Sequence, residues 1–509
     1  MPDALPGYWL SRLIFERSLA LIYLVAFLVA ANQFVPLVGE HGLTPVSRFV
    51  RYVPLRASPS LFYLAPTDNA FRAAAWAGVI LSAIAVAGLA DRQHALVSAA
   101  LWAALWALYL SFVNVGQTFY GFGWETLLLE TGFLAVFLGS GRTAPIVWLN
   151  VAYRWLLFRV MFGAGLIKLR GDPCWRDLTC LDYYFETQPM PNPLSWHFHW
   201  MPASVHRAGV VFNHVAELGV PFAYFAPQPI ASIAGLVTIV FQLILIASGN
   251  LSWLNWITIV LCIPTLDDRW FAWLPVGVPA VAAPQLAHRF VVYGVVALVA
   301  LLSIAPLRNM LSPAQVMNTS FDPLHLVNTY GAFGSITRTR NEIVIEGTDA
   351  EMPTASAAWR EYEFKGKPGD PARRPRQFAP YHLRLDWLMW FAAFSTPEEH
   401  PWFSSLLVKL LEGDRAVLSL LSVNPFPDRP PRYVRALYYR YRFTSPDERR
   451  RTGRCVGAGA HGHVLRAGLA QGAAVTSAAR VRGSVGTRVE HRQGRRIAHR
   501  SRTARRALV

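Results

Sequence analysis

The sequence predicts a mainly α, polytopic transmembrane bundle of about eight or nine helices, followed by a small α+β soluble domain and a disordered basic tail. Three observations carry this. Of 509 residues, 53% are hydrophobic and only 16% charged, against about 25% charged in an ordinary soluble chain, and mean hydropathy is +0.29. Long apolar runs recur up to residue 307 and then give way to apolar–polar alternation. After Arg450 the chain turns to Ala, Gly, Val and Arg, with no Phe, Trp, Tyr, Lys or Asp, a composition that cannot bury a core. The expected divisions are residues 1–310, helical and including a structured loop at 168–205; 311–446, an extracytoplasmic α+β domain; and 447–509, the tail.

A helix needs about 20 apolar residues to cross a bilayer. Runs of this kind lie at 13–35, 73–90, 95–115, 124–138, 146–167, 208–225, 230–247, 251–264 and 290–307. The second, third and seventh carry no charge. The fourth and eighth are short, as tilted partners or re-entrant pieces would be. Residues 271–287 are apolar but hold Pro275, Pro279 and Pro284, the mark of an interfacial connector. Trp and Tyr gather at run ends, as at Tyr8, Trp9, Trp253, Trp256, Trp270 and Trp273, where amphipathic rings anchor at headgroup level. Arg12 and Arg17 open the first run and no small-residue cleavage pattern follows, so it reads as a retained signal anchor.

Nine spans with the N-terminus inside place the loop at 171–202 and the soluble domain on the same outer side. Inside loops then hold Arg12, Arg92, Arg142 and Arg269, and outside loops Arg48, Arg51, Arg56, Arg170 and Arg176. The positive-inside rule does not favour that orientation; a cysteine pair that belongs outside does. In the soluble domain, 341–347, 359–364 and 433–443 alternate as strands, 385–394 and 402–411 read as helices, and Lys367-Pro368-Gly369-Asp370-Pro371 is a turn. The formal net charge is +17, but the tail from 451 holds 13 Arg against one acid, Glu490, so it supplies +12 and the rest of the chain +5. The tail is either the product of a shifted reading frame or a basic arm toward anionic lipid. No basic aromatic platform supports a nucleic-acid partner.

Chemistry-bearing residues concentrate in and after the fifth run. Arg154 and Arg159 lie inside it and need partners, because an unpaired buried charge is prohibitive. Glu125 and Glu130 in the fourth run and Glu217 in the sixth are the candidates, with His214 on the same helix face as Glu217. Such an intramembrane polar network is either a ligand site or a packing device. The next loop carries Cys174 and Cys180, spaced for one local disulfide in an oxidising compartment. Trp175, Arg176, Asp177, Glu186 and Gln188 would make its presented surface, stiffened by Pro173, Pro189, Pro191 and Pro193. His197, His199 and His206 lack a metal-ligand spacing, so no metal is expected. Arg384 and Asp386 read as a charge pair inside the soluble domain, and Gln242, Asn250, Ser252 and Asn255 as polar side chains joining helices. There is no P-loop, dinucleotide fingerprint, nucleophile elbow, zincin or kinase motif, and no cofactor is implied.

Five stretches carry a resemblance: GAGLIKLRGDPCWRDLTC at 163–180, YYFETQPMPNP at 183–193, SGNLSWLNW at 248–256, NTYGAFGSITRTR at 328–340 and PYHLRLDWLMWFAAF at 380–394. With them, roughly residues 8–443 resemble the lipase maturation factor family. The resemblance implies a membrane protein of the endoplasmic reticulum that acts as a chaperone for secretory clients, lipases above all, rather than as a catalyst. The Ala- and Arg-rich composition points to a GC-rich bacterial gene, in which case the membrane would be a bacterial inner membrane. An alternative is a membrane enzyme. Gly39-Glu40-His41-Gly42-Leu43-Thr44-Pro45 resembles vitamin K-dependent carboxylase-like membrane domains, and the intramembrane charges would suit a lipid or quinone-like substrate. A closed, dry Arg/Glu cluster favours the first reading, and a lipid-sized pocket reaching it favours the second.

Overall fold

The computed structural model describes residues 5, 7–90, 93–396 and 399–470, with side chains described up to 457. Its spine is α1 (Trp9–Val38). Phe15, Leu19, Tyr23 and Phe27 follow at four-residue spacing and are buried, so this helix is wrapped by others rather than by lipid. Around it stand α2 (Val46–Tyr52), α3 (Asp68–Ala87), α4 (Ala95–Val115), α5 (Gly123–Ala135) and α6 (Val147–Arg170). Gly78 of α3 lies against the Phe27 ring, where a Cβ would sit 2.3 Å from the ring, so only glycine permits that approach.

After α6 the chain forms α7 (Leu181–Thr187), α8 (Ser195–His199), α9 (Ala203–His214), α10 (Ile230–Ser248), α11 (Leu254–Cys262), α12 (Leu286–Leu302) and α13 (Ile304–Leu311). Among the described residues, five helical stretches are long and apolar enough to cross a membrane: α1, α3, α4, α10 and Leu286–Leu311. Each of the other four expected spans is also helical, but shorter, broken or charged. α5 is buried on nearly every face, so it packs among helices and not against lipid. The run at 208–225 continues α9 through a π turn, Val215–Gly219, into a 3-10 turn, Val220–Phe225. Pro221 causes the break, because it has no N–H for the helical ladder. α11 likewise tightens at Pro264.

The soluble domain is a five-stranded antiparallel sheet, with helices α14 (Arg384–Ala392), α15 (Pro401–Glu412) and α16 (Arg415–Leu418). Strands β1 (Arg340–Thr348), β2 (Arg360–Phe364), β3 (Leu421–Val423), β4 (Tyr433–Phe443) and β5 (Val456–Ala470) lie in the order β3-β2-β1-β4-β5. Ile343 pairs with Tyr438 and Ile345 with Tyr362 and Ala436. Val344, Ile345 and Tyr362 are buried.

In the first part of the expected tail the described residues hold a helix and a strand. Helix α17 (Pro446–Thr452) starts with a capping box between Ser445 and Glu448 and ends at Gly453 with φ +69°. β5 then hydrogen-bonds along β4. A strand edge is satisfied by backbone groups alone, so a segment without a core-forming composition can still pair. The rest of the tail, 471–509, lies outside the described residues.

Candidate functional site

The polar groups inside the bundle form separate pairs rather than one network, and two of the cations come from outside the fourth to sixth runs. Arg159 pairs with Glu130, both about 1% exposed. Arg159 Nη1 also donates to Asn328 O at 2.7 Å. Glu130 Oε2 accepts Asn328 N at 3.0 Å and Tyr330 OH at 2.7 Å, both from the segment that follows α13. Glu125 meets a residue 259 positions away: Arg384 Nη1 lies 2.7 Å from Glu125 Oε1 and donates to Phe119 O at 2.7 Å. Tyr109 OH donates to the same carboxylate, and Trp124 Nε1 reaches it at 3.1 Å. The Arg384 guanidinium lies 3.4 Å from the centre of the Tyr120 ring. Glu217 pairs with Lys168 at 2.6 Å, and Asn213 bridges both.

These pairings correct the expected network. Glu125 belongs to Arg384 and Glu217 to Lys168. Arg154 meets no carboxylate among the described residues; it donates to Pro264 O at 3.1 Å, Tyr224 O at 2.9 Å and Tyr8 OH at 3.1 Å. Those carbonyls close helical segments and have no ladder partner of their own, which suits a guanidinium donor. His214 Nε2 bonds Trp175 O at 3.0 Å rather than extending a carboxylate cluster. Nor do Arg384 and Asp386 pair with each other: Asp386 accepts Gly366 N at 2.6 Å and Lys367 N at 3.1 Å.

The loop after α6 is a compact folded unit. Asp172 caps the turn at Cys174 N (3.0 Å) and pairs with Arg338 at 3.0 Å. Cys174 and Cys180 form a disulfide with Cα atoms 4.8 Å apart. Two of the five residues expected on its presented surface are inside. Trp175 is 3% exposed and donates to Phe333 O at 2.9 Å, with the Lys168 ammonium 5.0 Å from its ring. Gln188 is 2% exposed and donates to Phe185 O, Ser195 Oγ and Ser248 O. The indole ring and the donating amide NH2 are better used in packing and buried hydrogen bonds than in water. Arg176 and Asp177 are exposed. Glu186 lies between, its carboxylate accepting Phe443 N at 2.7 Å, and burial raises its pKa above the usual glutamate value.

Loop and sheet are laced together. Arg340, at the start of β1, donates to the carbonyls of Glu186 (3.1 Å), Gln188 and Pro189 (2.9 Å) while pairing with Glu342, which Lys367 also reaches at 3.1 Å. Trp196 and Trp200 Nε1 both donate to Thr444 O, at 2.8 and 3.0 Å. Asn250 donates to Arg376 O and accepts Phe378 N and Ala379 N, so it joins the α10–α11 turn to the domain. Asn255 donates to Gln242 at 2.7 Å and joins two helices, as its position suggested. His199 sits 3.9 Å from Glu186, and burial pulls its pKa down to about 4. Among the described residues no three His, Cys, Asp or Glu side chains converge as metal donors.

Sequence reasoning missed Arg340, Asn328 and Tyr330 and gave Arg384 the wrong partner. One signal pointed to Arg384: three buried carboxylates faced two guanidiniums, so one acid was left over. Two small cavities, about 20 and 30 Å³, hold no more than a water or two. The larger is lined by Tyr8, Phe15, Tyr153 and Pro264, and neither lining includes Glu125, Glu130, Arg159, Lys168, Glu217 or Arg384.

The fold and its polar pairs can be set beside known proteins. The family model for the lipase maturation factor transmembrane domain matches residues 10–273, and that for the lipase maturation factor C-terminal domain matches 326–456. Lipase maturation factor 1 of Bos taurus is 46% identical over 480 residues, covering 87% of this chain and 86% of its own length. The Homo sapiens protein of that name is 44% identical over 482 residues, covering 87% and 84%. Lipase maturation factor 2 of Xenopus tropicalis is 29% identical over 576 residues, covering 86% and 79%. No solved structure matches. Both matched regions meet at the Glu125–Arg384 pair and the laced loop, and the chain belongs to the lipase maturation factor family.

Proposed function

We propose that this integral membrane protein is a maturation factor that helps secreted lipases fold and assemble, working by binding and without an essential nucleophile. The observation that carries the reading is the lock between domain and bundle. Arg384 and the Asn328–Tyr330 segment reach completely buried carboxylates, so the soluble domain and the Cys loop are held as one rigid body over the helices. A surface ordered before its client arrives loses little entropy on binding. The endoplasmic-reticulum membrane, with loop and domain in the lumen, is the location the family resemblance supports. The carboxylase-like alternative lacks support, because Glu125, Glu130, Arg159 and Arg384 are closed on all sides and leave a lipid or quinone-like substrate no approach.

The test is co-expression of a secreted lipase with this chain in cells lacking their own maturation factor, reading lipase activity per mass of lipase secreted. The expected result is a rise with the intact chain. Unchanged specific activity, with the chain present and folded in the membrane, would sink the reading. A single substitution that abolished the rise while folding and lipase binding persisted would move it to catalysis.

A further inference from the structure

Residues 43–66, between α1 and α3, hold Arg48, Arg51 and Arg56 and no Asp or Glu. The segment is firmly held. Val46 is buried, and Phe49 and Val50 pack against the core. Phe62 sits among Phe34, Phe71 and Phe112. Ser58 and Ser60 donate to Asn114 O and Ser111 O at 2.7 and 2.9 Å, and Tyr63 OH donates to Val53 O at 2.8 Å. Glu40 and Asp68 clamp its two ends, each accepting the other's backbone N–H.

What this scaffold turns outward is apolar and basic together. Tyr52 is 66% and Leu64 87% exposed, with Leu55 and Leu61 about half exposed. Arg48, Arg51 and Arg56 are exposed and have no ion-pair partner among the described residues. Asn114, at the end of α4, donates to Pro59 O and Pro323 O, which brings Phe321 and Leu324 beside the segment; both are exposed. The whole strip lies at the end of α1 where Gln33 bonds His382 O and Arg384 N, so it is on the soluble domain's side.

We infer that this strip is a monotopic collar lying in the headgroup layer, with its leucines and tyrosine in the upper acyl region and its three arginines on the phosphates of anionic phospholipid. Two arguments select a lipid surface over a protein. The strip is continuous with the flanking membrane helices α1 and α3, so the bilayer already reaches its edges. A segment, residues 43–66, whose only acidic or basic side chains are three exposed arginines beside apolar side chains is also complementary to an anionic interface. The assignment accounts for arginines that the positive-inside rule left on the wrong side: they sit on lipid rather than in an aqueous loop.

The full chain carrying Leu64→Cys takes an environment-sensitive fluorophore at that position, since Cys262 and Cys455 are buried and Cys174 and Cys180 are joined. It is reconstituted into nanodiscs of phosphatidylcholine with a set fraction of phosphatidylglycerol. The label should be quenched by lipid nitroxides and protected from aqueous acrylamide, unlike one at exposed Met352→Cys. Nitroxide phosphatidylglycerol should quench it more strongly than nitroxide phosphatidylcholine. That preference should fall by up to roughly fivefold for each of Arg48→Gln, Arg51→Gln and Arg56→Gln. Acrylamide quenching equal to that at position 352 would mean the strip faces water, as a protein-docking surface would, and would overturn the assignment. Equal quenching by the two lipids in the unsubstituted chain would overturn the choice of anionic phospholipid, whatever the arginine variants do.

Discussion

Two of the contacts between the segment that follows the last span and the rest of the molecule are built differently. Inside the bundle the segment meets charge with charge: Arg384 on Glu125, and Asn328 and Tyr330 on the Glu130–Arg159 pair, all out of reach of water. At the Cys loop it is mostly held by side chains donating to backbone carbonyls, as Trp175 does to Phe333, Trp196 and Trp200 to Thr444, and Trp390 to Thr187. A neutral hydrogen bond contributes about 1 kcal/mol net, and losing one leaves the others intact. A buried ion pair contributes little net but is costly to halve. The first contact is therefore brittle and specific, and the second graded.

The sharpest way to break this contrast is Arg384→Met. It strands Glu125 in full burial and should cost about 3–5 kcal/mol, read as a lower Tm of the purified protein or as domain release by limited proteolysis. The double variant with Glu125→Leu should recover much of that loss, because no charge is then left unpaired. If the single variant matched the unsubstituted protein in Tm, the lock would not exist.

The disulfide comes next. Cys174→Ser removes a bridge with a short loop, whose closure entropy corresponds to about 2 kcal/mol. The loss should be confined to the loop, so exchange protection should fall around 172–188 and stay unchanged in α1. A bundle-wide loss of protection would show that the loop supports more than itself.

A smaller effect sharpens the comparison through pH. Burial holds His199 at about 4, below its usual 6.5. A depressed histidine means the unfolded chain binds the extra proton first, so the stability it contributes is present above 6.5 and drains away as pH falls toward 4. The size is on the order of 1 kcal/mol once screening is allowed for. Glu186 shifts upward and acts in the opposite sense, gaining stability as pH falls through its raised value. His199→Gln should therefore flatten the fall in Tm between pH 6.5 and 4. An unchanged slope would show that other groups set it.

Much of the fold was legible in the sequence because periodicity is local. The charge-free runs at 73–90, 95–115 and 230–247 are all helices, and the alternation at 341–347 and 433–443 became paired strands. The polar partners were less legible because they are set by distance through space. Nothing near Glu125 announces Arg384, and Lys168 lay beyond the end expected for its own helix. Burial inside the loop was hidden for the same reason. Trp175 looks like an anchor offered to a partner until Phe333, far along the chain, is seen to cover it.

That last point separates Trp175 from its neighbours Arg176 and Asp177, which give the smallest expected change in stability. Trp175→Ala removes a buried ring, so it should destabilise by about 3 kcal/mol, and any drop in lipase maturation would follow the loss of folded protein. Arg176 and Asp177 are exposed. The Arg176 side chain donates to Leu169 O, at the end of α6, 2.8 Å away. Substituting either by Ala should move stability by no more than about 0.5 kcal/mol. If the loop touches the client, Asp177→Ala should nonetheless lower the specific activity of secreted lipase in a graded way, with Tm unchanged. An Asp177→Ala, Arg176→Ala double variant with full maturation activity would remove this face of the loop from the binding surface. The client contact would then have to lie on the sheet side of the domain.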